Sequence, residues 1–294
     1  MSSLSFNSIA ANYDATRGYP PSVIKQIMPA IKKAAEATSE TRFLEIGVGT
    51  GRIALPLASL GQNYTGIDIS EKMLQVLVEK LQAAGWQPKS SVWGEEEDEL
   101  AENPHEVRRF VLDEPAASMR LVNGDITRLP FGTETFDVVA AIHILHLVDG
   151  WEAAMWEVMR VVKPGGLFII CWDADMRDNQ VTMNGAWRKI VNELMKQPFP
   201  LVGATDGAVI NWLRARGMNP EHQAVCRWKV QVTPRQEMDL LQKRLWSRTL
   251  LIPNDIFRIS MERLQRWAHE YYRGNLDRPY FKEREFILSK TRLE

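Results

Sequence analysis

The stretch FLEIGVGTGRIALPLASLGQNYTGIDIS, residues 43–70, joins an apolar run to three alternating glycines, Gly47, Gly49 and Gly51, and closes a second apolar run on Asp68. Residues 42–46 read as a buried strand ended by the glycines, 52–60 as a helix despite Pro56, and 63–69 as a second strand. Strand, glycine turn, helix and strand open a parallel α/β sheet, where ligands sit beyond the carboxyl ends of the strands. Glycines at such a turn permit positive φ and let the backbone approach a ligand. A dinucleotide, a nucleoside and a phosphate each suit such a loop. A phosphate loop needs Lys followed by Ser or Thr directly after its glycines, and neither pair follows these. The dinucleotide spacing G-x-G-x-x-G fails from Gly47, where Arg52 takes the last place. From Gly49 it ends on Ala54, which the broader pattern tolerates, so that reading stays open. The third spacing runs Glu45, Gly47, Gly49, Gly51.

Working outward, Ser70 is placed to cap a helix with Glu71 in its first turn and Met73, Leu74, Leu77, Val78 and Leu81 on one face. Upstream, residues 22–40 have helical spacing, with Pro29 marking a place to kink or stop. Downstream, 119–123, 136–142 and 167–172 read as strands, 151–162 as a helix and KPGG (163–166) as a turn. These strands are apolar on both faces, as a covered parallel sheet requires. Residues 85–118 break the pattern with nine acidic and three basic side chains, and read as a surface insertion, partly helical, that is solvated or docks a cationic partner. Beyond Asp173 the reading is a helix at 208–216, strands at 224–232 and 284–290, and helices at 235–247 and 254–272 between those strands. The expected organisation is a lead-in at 1–40, a core at 41–172 and a remainder at 173–294 that completes the sheet and carries a helical lid.

The 294 residues carry 36 basic and 37 acidic side chains, so no global charge attracts nucleic acid or an anionic membrane. Cys171 and Cys226 lie far apart in apolar runs, which indicates neither a disulfide framework nor a metal site, and fits a reducing cytoplasm. The start, MSSLSFNSIAANYD, lacks a signal peptide's basic and apolar parts, and no run reaches the ~18 apolar residues of a membrane span.

On Glu45-x-Gly47-x-Gly49-x-Gly51 the chain resembles the class I S-adenosylmethionine-dependent methyltransferases, of the small-molecule kind. GIDIS (66–70) looks like that family's acidic end of the second strand, NGDITRLPF (123–131) like its third-strand segment, and FDVVAAIHILHLVD (136–149) like its fourth strand. VMRVVKPGGLFII (158–170) looks like the segment closing its core, and FNSIAANYDATRGYP (6–20) like its aromatic, arginine-bearing lead-in. The ordered match covers roughly residues 5–172. The resemblance implies a doubly wound, mostly parallel, seven-stranded Rossmann-like sheet with a C-terminal antiparallel strand. It also implies S-adenosyl-L-methionine as cofactor, S-adenosyl-L-homocysteine as product, and a small-molecule methyl acceptor.

The donor is adenosine joined to a small zwitterion, without phosphates. Asp68 is placed to accept from both ribose hydroxyls, and Asp125 or the backbone of Ile126 to meet the adenine amino group. Ile69 and Met73 would pack on the adenine. By the resemblance, Glu45 orders the loop and the donor's amino end, and Tyr13 and Arg17 close over the methionine end. His143 and His146 follow the fourth strand, so either can serve as a base if the acceptor has a proton to lose. The backbone near His143 is a further donor contact. The signature for methylating nucleic-acid bases is absent. A protein or RNA methyltransferase, an NAD-binding dehydrogenase and a non-catalytic scaffold remain as alternatives. No metal is expected, and nothing in the sequence gives the oligomeric state.

Overall fold

A computed structural model describes residues 6–7, 10–89, 107–113, 116–176 and 182–294. A short 3-10 turn at Ala10–Asn12 leads into helices α1 (Tyr13–Arg17) and α2 (Pro21–Ala34), and α2 runs through Pro29. Strand β1 (Arg42–Ile46) is followed by α3 (Ala54–Ala58), β2 (Asn63–Asp68) and α4 (Glu71–Ala83). The Ser70 hydroxyl caps α4 by accepting from the Met73 N–H, and the five apolar residues expected on its inner face are all buried. The chain continues through β3 (Gln87–Lys89), β4 (Val107–Leu112), β5 (Ala117–Asn123), β6 (Phe136–Ile142), α5 (Trp151–Val161) and β7 (Val162–Asp175). Then come α6 (Met183–Met195), α7 (Asp206–Arg214), β8 (Glu221–Val232), α8 (Pro234–Gln242), α9 (Ser247–Leu250), α10 (Asn254–Tyr271) and β9 (Tyr280–Arg292).

The sheet has the order β3-β4-β5-β2-β1-β6-β7-β9-β8. β5, β2, β1, β6 and β7 are parallel, with Phe43 opposite Tyr64 on one side and Val138 on the other. From β1 the chain first builds outward through β2 and then returns to place β6 against β1's other edge. That reversal makes the switch point where such sheets bind ligands.

Among the described residues the sheet has nine strands where seven were expected. β3 and β4 add an antiparallel edge to β5, through pairs such as Phe110 with Met119. The acidic composition of 85–118 hid them: Gln87–Lys89 is wholly exposed, and β4 buries Phe110 between arginines and apolar residues. The helical part expected in the insertion would fall within 90–106, outside the described residues. The KPGG turn is a bulge inside β7, since Phe136 pairs with Val162 but Val138 with Leu167. β9 runs antiparallel to β7: the Gly165 N–H donates to Leu293 O, and the Met176 N–H to Glu283 O.

The chain forms two compact units. The first holds residues 1–173, 203–226 and 286–294, with a core of Leu44, Ile46, Ile67, Val139, Phe168 and Leu213 among others. The second holds 174–202 and 227–285, with α6 and α10 packed around Trp187, Leu241 and Leu264. Helix α6, unexpected from the sequence, is capped by Thr182, and Trp187 donates to the Ser260 hydroxyl 2.9 Å away. Among the described residues, no helix is long and apolar enough to cross a membrane.

Candidate functional site

After Ile46 the backbone turns through Gly47, Gly49 and Gly51 at φ of 73°, 55° and 71°. A Cβ at Gly47 would stand 2.3 Å from Ile144, and one at Gly51 2.3 Å from Leu77. Those two glycines let the turn pack closely against the core. A Cβ at Gly49 would meet nothing nearer than the Gly47 carbonyl oxygen, 4.0 Å away. Gly49 is therefore the glycine that opens onto free space.

That space is a cleft of about 600 Å³, counting its open mouth, at the carboxyl ends of β1, β2, β5 and β6. The cleft brings together Tyr13, Gly47, Gly49, Asp68, Ile69, Met73, Asp125, Ile126 and His143. Ile69 is 43% exposed, a large apolar side chain left at the rim. Arg17, Glu45, Gly51 and His146 are not in the lining.

Asp68 is 8% exposed and holds the loop: one carboxylate oxygen accepts from the Gly49 N–H and the other from the Ser70 N–H, each at 2.8 Å. Burial pushes its pKa up to about 6, against the pull of those two N–H groups. Each oxygen keeps a further lone pair for a ligand hydroxyl. Asp125 closes a turn by accepting from the Thr127 N–H and hydroxyl at 2.9 Å. Glu45 lies behind the loop, accepting from the buried Tyr64 hydroxyl at 2.7 Å, and burial pushes its carboxyl up to about 8.

The lead-in is fastened to the same loop. Asp14 accepts from the Thr50 hydroxyl at 2.6 Å and from Lys80 at 2.9 Å, and Lys80 also donates to the Thr50 carbonyl. Arg17 stacks 4.7 Å over the Tyr13 ring. Arg52 donates to the Arg17 carbonyl and lies 5.3 Å over Tyr13 and 5.1 Å over Tyr19.

On the far wall, His143 has φ of 54°, a backbone conformation rare outside glycine, and its N–H donates to Cys171 O. Its Nε2 is 3.0 Å from the Tyr19 hydroxyl and 3.3 Å from Asp173 Oδ1, and Tyr19 donates to that same oxygen at 2.9 Å. Burial, then the Asp173 charge, raises the Tyr19 pKa well above its ordinary value. Asp206 is also raised by burial, with His143 pulling it back down. Sequence reasoning reached His143 but missed Tyr19, Asp173, Asp206 and Arg52. Asp173 ends an apolar strand much as Asp68 does, and that was the available signal. Tyr19 gave none, because its partners lie more than a hundred residues away.

An open doubly wound sheet with a glycine turn and an acidic strand end at the switch point places the protein among the α/β folds that bind ligands at that point. Residues 44–170 match the family described as "methyltransferase domain". Over that segment the chain is similar to the class I S-adenosylmethionine-dependent methyltransferases. It is 24% identical over 168 residues to sterol 4-C-methyltransferase strm-1 of Caenorhabditis elegans, covering 55% of this chain and 42% of that one. It is 29% identical over 171 residues to the demethylmenaquinone methyltransferase of Tropheryma whipplei, covering 56% of each. The chain thus spans about half the length of these curated relatives. In fold it is similar to YcgJ of Bacillus subtilis, with a TM-score of 0.53 at 19% identity over 91% of this chain and 97% of that one.

Proposed function

We propose that the chain transfers a methyl group from S-adenosylmethionine to a small-molecule acceptor by in-line displacement. The observation that carries this reading is the charge of the cleft. Asp68 and Asp125 line it, and among the described residues no lysine or arginine does. A dinucleotide would bring its phosphates against those carboxylates, whereas a sulfonium nucleoside brings no phosphate and one positive charge.

The lining fits such a donor. Gly49 leaves room for close approach, Asp68 accepts from the ribose hydroxyls, Ile69 and Met73 pack on the adenine, and Asp125 with Ile126 meets its edge. Tyr13 covers the opposite end. When bound, S-adenosylmethionine supplies a methyl group already activated by its positive sulfur. The chain's own task is to align the acceptor with that carbon and to exclude water. Acceptor choice lies in the chain from Asp173 onward, and two widely separated cysteines fit a cytoplasmic setting. The names of the relatives support a small organic acceptor, such as a sterol or a quinone precursor, without deciding which.

Calorimetry with S-adenosylhomocysteine and with NAD tests the reading. Binding of the first and not the second is expected; binding of NAD alone, or of neither, would overturn it. Turnover against phenols, amines, carboxylic acids and thiols then sorts the acceptor.

A further inference from the structure

We propose that Tyr19 and Asp173 fix the tautomer of His143, making Nδ1 the nitrogen that takes a proton from an acceptor carrying O–H, N–H or S–H. This rests on the methyl-transfer reading above, and it concerns three side chains whose geometry is independent of it.

The argument is a count of protons. With Asp173 ionised, its Oδ1 accepts from Tyr19, and the single Tyr19 proton is used there. The His143 Nε2 then faces two oxygens that can only accept from it, at 3.0 Å and 3.3 Å. Nε2 must carry the ring proton, which leaves the lone pair on Nδ1. The raised Tyr19 pKa keeps that hydroxyl protonated as the arrangement requires. Arg52, stacked on Tyr19, adds a positive charge to the cluster, and the Asp206 carboxylate acts on His143 from α7. The positive φ at His143, rare outside glycine, sets the backbone that carries the ring.

The step balances without another reactant. The acceptor's lone pair forms the new bond to the methyl carbon, the carbon–sulfur bond breaks with its electron pair left on sulfur, and the acceptor's proton moves to Nδ1. The imidazolium so formed donates through Nε2 toward Asp173. His143 is the catalytic residue here; Tyr19 and Asp173 are positioning residues. A trisubstituted amine or a thioether, having no proton to give, would not use the device.

Nitrogen NMR of the His143 ring, assigned by its loss in His143→Gln and recorded where the ring is neutral, reads the tautomer without any donor. A proton on Nε2 is expected, and a proton on Nδ1 would overturn the proposal. In Asp173→Asn the amide can donate to Nε2 and drive the proton to Nδ1. That variant should lose roughly 10²-fold or more in kcat while its affinity for S-adenosylhomocysteine is kept. Tyr19→Phe should lose less and keep Nε2 protonated, and Asp173→Glu should recover part of the rate. An unchanged rate in Asp173→Asn with the proton moved to Nδ1 would sink the proposal. Failure of the wild-type protein to bind S-adenosylhomocysteine would instead sink the methyl-transfer reading, leaving the tautomer result to stand by itself.

Discussion

The Asp68 carboxylate accepts a hydrogen bond from the Gly49 N–H at 2.8 Å, so the acidic end of β2 holds the turn after β1. One side chain thereby shapes the glycine loop and faces the cleft that the loop borders. Asp68→Ala removes both functions, and the affinity for S-adenosylhomocysteine should fall at least tenfold. Asp68→Asn should be nearly as damaging, because its NH₂ must face either the Gly49 or the Ser70 N–H. Calorimetry on folded variants checks both, and an unchanged affinity would remove Asp68 from the site.

The same carboxyl titrates at about 6, because burial opposes its charge. Its protonated form has lost an acceptor, so donor affinity should hold above about pH 6 and weaken progressively below it. A pH series of S-adenosylhomocysteine titrations should show this loss. A flat profile would mean that the ribose does not rely on Asp68.

The three glycines should respond differently. Gly47→Ala and Gly51→Ala press a Cβ into Ile144 and Leu77 at positive φ, and each should destabilise the fold by ~1–3 kcal/mol. Gly49→Val meets only conformational strain in the protein itself, so stability should fall less while donor binding is blocked. Chemical denaturation alongside calorimetry separates the two behaviours. Normal donor affinity in Gly49→Val would undercut the placement of the loop.

Lys80 joins Asp14 of the lead-in to the Thr50 carbonyl of the loop. Both partners of the ion pair are about one-third exposed, so Lys80→Met should cost less than ~1 kcal/mol of stability. Donor binding should weaken by more than that, because Tyr13 follows Asp14 away from the cleft. Equal losses in stability and affinity would argue that the lead-in plays no part in binding.

Most of this was legible in local pattern. The apolar strands, the Ser70 cap and the spacing from Gly47 to Asp68 are short-range signals, and they located both the central sheet and most of the cleft lining. What escaped depends on distant pairing. β3 and β4 form because β5 offers them an edge, and composition alone read as a solvated insertion. Tyr19, Asp173 and Asp206 meet at His143 from segments with no common motif. Glu45 was read as ordering the loop and the donor's amino end through water or backbone; its acceptance from the Tyr64 hydroxyl on the neighbouring strand is a pairing that spacing does not reveal.

Glu45 offers a measurement that needs no ligand. Burial raises its carboxyl from an ordinary 4.5 to about 8, so the folded chain holds a proton that the unfolded chain releases across that interval. The unfolded state binds fewer protons there, and stability must fall as pH rises from about 4.5 to about 8. Asp68 contributes the same sign up to about 6, and Glu45 adds a decline that continues to about 8. Glu45→Gln mimics the protonated form and still accepts from the Tyr64 hydroxyl. Denaturation midpoints should drop with pH in the wild-type protein and drop less steeply between about 6 and 8 in the variant. Parallel declines in both would show that Glu45 is ionised within the sheet.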